Sequence, residues 1–245
     1  MPSKSKSTRR TPKPEPIILG PYVRVDPGIL IELKRINAAW SKTERFDVYL
    51  AALAKLFHLD PAELSSADFT ETQLNFFGGF NTGEGSIFAG VTKNASSTYG
   101  IEVRCGYGLT QHINGIKTLV QCLAYFQRGV IRYKTGSVAT FELKLVTTKA
   151  HHDLRDVVTP FYRRYVVPYA SPALALRLER WVRVIALVEA GAVNDPVRLV
   201  DELLPLCFAL RVQVHKDTPF KTLEEAVEWV AYCVAVPVKS RSVEV

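Results

Sequence analysis

Apolar residues recur at helical spacing over Ile29–Trp40 and Thr43–Phe57, and again in a block that opens at Thr70 and runs into Phe76-Phe77-Gly78-Gly79-Phe80. The period then shortens to two. Ser86–Val91 and Gly100–Leu109 read as strands, as do Val130–Lys134 and Val138–Val146, which flank a Thr135-Gly136 turn. Between the two strand pairs, Thr110 is expected to cap a helix running to Phe126. Further helical stretches follow at Leu154–Tyr165, 172–190, 196–213 and 223–235. Ser41 with Glu44 and Thr70 with Gln73 have capping-box spacing, and Ser171-Pro172 and Asp195-Pro196 suit helix starts. Gly191 suits a helix stop, and Pro205 should kink or divide its helix.

Strand parity sorts the side chains. Ile101, Val103 and Cys105 oppose Glu102, Arg104, Gly106 and Gly108; Phe141, Leu143 and Leu145 oppose Thr140, Glu142 and Lys144. One face of the sheet is therefore apolar and helix-covered. The other is polar, with Arg132 and Lys134 continuing its cations. The chain's middle reads helix, two strands, helix, two strands, helix: an α+β fold built on an antiparallel sheet. Such a polar face can lie in a DNA major groove, although any half-buried antiparallel sheet also has one.

The helix ahead of the first strand carries the densest chemistry. Leu74, Phe77, Gly78 and Phe80 fit one face, and glycine in a helix costs about 1 kcal/mol relative to alanine unless something compensates, such as close approach of a second backbone. Gly83 and Gly85 are expected to let the chain leave the helix, with Glu84 between them. A carboxylate at the negative end of a helix dipole calls for a positive partner, and a hard divalent cation held by carboxylate and carbonyl oxygens would supply it.

Phe77 to Gly85 resembles the LAGLIDADG motif of homing endonucleases, with Glu84 on its final acid. Thr82 stands where an acid is frequent, and Asn81 where an aliphatic residue is usual. Further segments carry the resemblance toward the single-motif endonucleases of chloroplast large-subunit ribosomal RNA introns: Thr110-Gln111-His112-Ile113-Asn114-Gly115-Ile116-Lys117, Phe126–Ser137, Pro160–Val167 and Ser171-Pro172. It spans about Pro27 to Ala231.

This resemblance implies a saddle-shaped sheet with an αββαββα core and a metal-dependent DNA endonuclease that uses Mg²⁺ or Mn²⁺. Glu84 and the Gly83 carbonyl would bind metal, and Gln111 would stand beside them in the active site. The lysine frequent after the Pro-Phe segment is missing, and Arg177 is the nearest basic candidate for the catalytic set. DNA would be met by Ser86, Phe88, Glu102, Arg104, Arg132, Lys134, Thr140, Glu142 and Lys144. No second motif copy exists in the chain, so a homodimer is implied, its interface drawn from Leu74, Phe77, Gly78 and Asn81. An intron RNA maturase or a non-cleaving DNA-binding protein on the same scaffold is the alternative. The resemblance points to a chloroplast; a chain rich in Ala, Val and Arg leaves a mitochondrial or bacterial source open.

Bulk properties agree with a polyanionic partner. Net charge is +7, and charged residues make up an ordinary 22%. No apolar run is long enough to span a bilayer, and no phosphate loop or nucleophile motif for a small-molecule substrate is found. Cys105, Cys122, Cys207 and Cys233 lack metal or disulfide spacing and are expected as buried thiols. The chain divides into a basic arm (1–16), a helical extension (17–69), the motif core (70–190) and a second helical extension (191–245).

Overall fold

A computed structural model describes residues 25–43, 45–65, 69–147, 151–211 and 218–236; the basic arm at 1–16 lies outside them. Helices α1 (Pro27–Thr43) and α2 (Phe46–Leu56) precede α3 (Glu71–Glu84). Strands β1 (Gly85–Lys93) and β2 (Ile101–His112) follow, then α4 (Ile116–Phe126), β3 (Val130–Tyr133) and β4 (Thr140–Thr147). The remainder is helical: α5 (154–166), α6 (Pro172–Glu189), α7 (196–209) and α8 (Leu223–Ala235). The four strands form one antiparallel sheet in the order β1-β2-β4-β3, so the core has the expected αββαββα sequence.

The parity reading holds. Ile87, Val91, Val103, Tyr107, Leu109, Phe141 and Leu143 are buried on one face, where α4 packs across β2, β3 and β4. One continuous apolar cluster joins this face to the flanking helices, from Leu33 in α1 to Val230 in α8.

Polar side chains from helices bond to the backbone of both edge strands. At β3, Ile131 donates its N–H to Tyr49 Oη (2.9 Å) and accepts at its carbonyl from Asn37 Nδ2 (2.9 Å), while Tyr49 donates to Asn37 Oδ1. At β1, Arg177 donates to the Ile87 carbonyl (2.9 Å through Nη2) and Trp181 Nε1 to the Phe88 carbonyl (3.0 Å).

Several local expectations are confirmed. Thr70 and Gln73 form the reciprocal capping box, Ser171 and Asp195 cap α6 and α7, and Gly191 takes a left-handed conformation (φ 76°) just past α6. Others are corrected. Ser41 lies inside α1 and donates to the Ala38 carbonyl; Glu44 lies outside the described residues, and Arg45 starts α2 without a side-chain cap. Thr110 caps no helix. β2 runs on through it to His112, whose Nδ1 accepts from Asn114 N–H and starts the turn into α4. A β-branched threonine suits a strand as well as a cap, and pairing with Glu142 of β4 decides the matter.

Pro205 does divide its helix. A π turn (Leu199–Leu203) precedes the α-helical Leu204–Ala209, and Pro160 follows the π turn Leu154–Val158 in the same way. Proline cannot donate the i→i−4 bond, and a wider turn ahead of it accommodates the loss.

Candidate active site and nucleic-acid interface

Helix α3 passes directly into β1. Gly85, the first residue of the strand, is extended (φ −79°, ψ 146°), so the expected glycine-assisted exit is replaced by an ordinary one. Gly85 is needed for space: a Cβ there would sit 2.7 Å from Tyr162 Oη and 2.9 Å from Asn81 Oδ1. The direct passage leaves Glu84 exposed at the helix end, with no hydrogen bond or ion pair among the described residues. The last turn's carbonyls, Gly83's included, lack onward helical partners.

Register brings Gln111 to the same end of the sheet. Gly85 pairs with Leu109, and Gln111 lies two residues further along β2. Its side chain folds back so that Oε1 accepts from the His112 N–H (2.8 Å). Gly115 packs against it so closely that a Cβ there would lie 2.8 Å from Gln111 Cδ and 3.2 Å from Nε2. The turn that opens α4 thus fixes the orientation of the Gln111 amide.

The expected dimer surface is corrected. Phe77, Gly78 and Asn81 are buried inside the protomer, and Leu74 packs on the same core. A Cβ on Gly78 would lie 2.7 Å from the Tyr165 carbonyl carbon, so the close backbone approach is to α5 of the same chain. Asn81 Oδ1 accepts from Tyr107 Oη (2.7 Å), and its Nδ2 donates to the Phe77 carbonyl (2.8 Å). The departing amide therefore ties α3 to β2. The opposite face of α3 is open: nothing lies within 4 Å of a Cβ at Gly79 or Gly83, and Phe76 is 57% exposed, stacked on Phe80.

Arg177 is engaged within the protomer. Its Nε and Nη2 both donate to the Ile87 carbonyl, and burial lowers its pKa, with nearby Tyr162 acting in the opposite direction. It fastens β1 to α6. Tyr162 and Tyr107 are themselves pushed up by burial, so both hydroxyls stay protonated. Thr82, in the place of an acid, bonds back to the Gly78 carbonyl (3.0 Å).

The sheet's outer face falls into cross-strand rows. Thr110, Glu142 and Arg132 form one; Ser86, Gly108, Lys144 and Val130 the next; Phe88, Gly106 and Val146 the third; Gly90 with Arg104 and Thr92 with Glu102 complete it. His112 and Thr140 lie at the Gln111 end, beside Lys134. Glu102 pairs with Arg104 (2.6 Å), and Glu142 with Arg132 (3.5 Å) and Lys144 (3.9 Å). Three cations therefore share two acids, and such half-exposed pairs are held weakly enough to re-form on a ligand. The longer β2 places His112 on this outer face as well.

Among the described residues no three His, Cys, Asp or Glu side chains gather into a metal-holding group. All four cysteines are buried, and burial pushes the Cys105 thiol up to about 12. No described helix is long and apolar enough to cross a membrane.

The sequence matches no protein-family model. It is 36% identical over 213 residues to the DNA endonuclease I-CeuI of Chlamydomonas moewusii, an alignment covering 86% of this chain and 94% of that protein. The solved structure of I-CeuI, a group I intron-encoded homing endonuclease complexed with DNA, superposes with a TM-score of 0.79 at 34% identity, covering 87% of this chain and all of that one. The homing endonucleases I-TnaI (TM-score 0.53, 20% identity, 64% of this chain and 97% of that one) and I-Vdi141I (0.58, 14%, 68% and 99%) share the fold. With the motif helix, the sheet and an alignment over most of both chains in agreement, the protein belongs to the LAGLIDADG homing endonuclease family.

Proposed function

We propose that the protein is a site-specific double-strand DNA endonuclease that acts as a homodimer with a divalent cation, Mg²⁺ or Mn²⁺. The observation that carries this reading is Glu84: an exposed carboxylate, unpaired among the described residues, at the end of a helix whose face at Gly79 and Gly83 is open. Two α3 helices crossing through Phe76, Gly79, Phe80 and Gly83 bring two Glu84 side chains together above one duplex. The donor set fits a hard cation, since Glu84 and the Gly83 carbonyl both offer oxygen and a second protomer supplies what one chain lacks. When bound, such a cation neutralises phosphate charge and makes a coordinated water more acidic.

The chain's own residues do the rest. The Gln111 amide, held by Gly115 and the His112 N–H, orients water near the phosphate. Arg104, Arg132, Lys134 and Lys144 take backbone phosphates, while Ser86, Phe88, Glu102, Thr140 and Glu142 face the bases. Each protomer cuts one strand, giving a double-strand break with short 3′ overhangs. I-CeuI is intron-encoded, and a large-subunit ribosomal RNA gene is the proposed target here, in a chloroplast.

Incubating the full-length protein with linear duplexes that carry ribosomal insertion sites, with Mg²⁺ or with chelator, tests this. A metal-dependent break at one site is expected, with affinity falling steeply with salt. Thr82 and the engaged Arg177 favour a second reading, a DNA-binding protein that does not cut. Specific binding without cleavage in any divalent cation supports that reading, and the absence of salt-sensitive binding contradicts both.

A further inference from the structure

On the cationic outer face of the sheet, one row is apolar. Phe88 projects from β1 on the same side as Ser86 and Thr92, and its ring lies across Gly106 of β2. A Cβ on Gly106 would lie 2.9 Å from Phe88 Cε2 and 2.9 Å from Val146 Cγ2, so the glycine is the floor on which both side chains rest. Val146 of β4, 39% exposed, completes the plate, and Lys144 Nζ stands 6.0 Å from the Phe88 ring centroid. The ring remains only half-buried.

Nothing on this plate can donate or accept a hydrogen bond. In the major groove the one base feature that meets an apolar surface favourably is the thymine C5-methyl group; every other edge atom there would be desolvated without compensation. We infer that Phe88, with Val146, is a specificity-determining contact that selects thymine by its methyl group at one position in each half-site. Lys144 beside the ring directs the neighbouring phosphate and sets the depth of the plate in the groove. The inference rests on the outer face being the DNA surface.

The test uses the full-length protein and randomised duplexes, enriched by binding without added metal so that cleavage plays no part. Wild type is expected to enrich thymine at one position, repeated symmetrically, and Phe88→Ala to lose that preference while keeping the others. In the selected duplex, deoxyuridine in place of that thymine should weaken wild-type binding about threefold to tenfold, the worth of a buried methyl group, and leave Phe88→Ala binding unchanged. Phe88→Leu keeps Gly106 covered and should keep the thymine preference, which separates base contact from sheet stability. If deoxyuridine binds wild type as tightly as thymine at every selected position, or if Phe88→Ala retains the full preference, the inference is overturned. Loss of all salt-sensitive DNA binding in wild type would instead overturn the underlying DNA-face reading.

Discussion

Tyr107 Oη donates to Asn81 Oδ1 at 2.7 Å, with both residues almost wholly buried. This bond joins the motif helix to the second strand and satisfies a polar side chain at a motif position where the family usually has an aliphatic one. Asn81 and Tyr107 act as a unit. Each alone would leave a buried polar atom without a partner.

Tyr107→Phe should therefore destabilise the protein by about 1–3 kcal/mol, the cost of an orphaned buried acceptor. Asn81→Leu should cost a similar amount. The double substitution should be milder than the sum, because two apolar groups replace a matched polar pair. Denaturant unfolding of the four proteins checks this, and additive losses would contradict it.

The two glycines of adjacent motif positions should behave oppositely. Gly78→Ala puts a methyl group against the Tyr165 backbone and should cost about 1–3 kcal/mol or more through overpacking. Gly79→Ala has open space and should stabilise the isolated helix slightly. Larger residues at Gly79 or Gly83, such as Leu, should leave the protomer folded but monomeric. Melting curves and sedimentation velocity distinguish the two classes.

Gly115 has φ −104°, a conformation alanine adopts without strain, so Gly115→Ala should fold. Its methyl group would displace the Gln111 amide. Single-turnover cleavage should slow by about tenfold to a hundredfold, as expected for a misplaced positioning group, with DNA affinity unchanged. In a Gln111→Ala background the same substitution should cost nothing further.

The strands were legible because a period of two and a half-buried sheet leave few choices, and the order of elements followed from it. Which face of α3 turns inward was not legible. Phe76, Phe77, Gly78, Gly79 and Phe80 put apolar or small residues all round the helix, and only the approach of Tyr165 and Tyr107 separates the buried glycine from the open one. The hydrogen bonds of Arg177 were not legible for a related reason. A basic residue near the site suggests a phosphate, and only the structure shows its guanidinium on the Ile87 carbonyl. Glu84 stands out through the motif and Gln111 through the Thr110–Lys117 segment, and the register of β1 with β2 explains why residues 27 positions apart share one end of the sheet.

The central claim is that Glu84 carries the metal-dependent step. The most direct measurement compares wild type and Glu84→Gln on a plasmid bearing the target site, in Mg²⁺ and in chelator, with binding to the same site measured in parallel. Wild type should linearise the plasmid only with Mg²⁺, and Glu84→Gln should bind with similar affinity and leave it intact. Cleavage by Glu84→Gln at the wild-type rate would contradict the account.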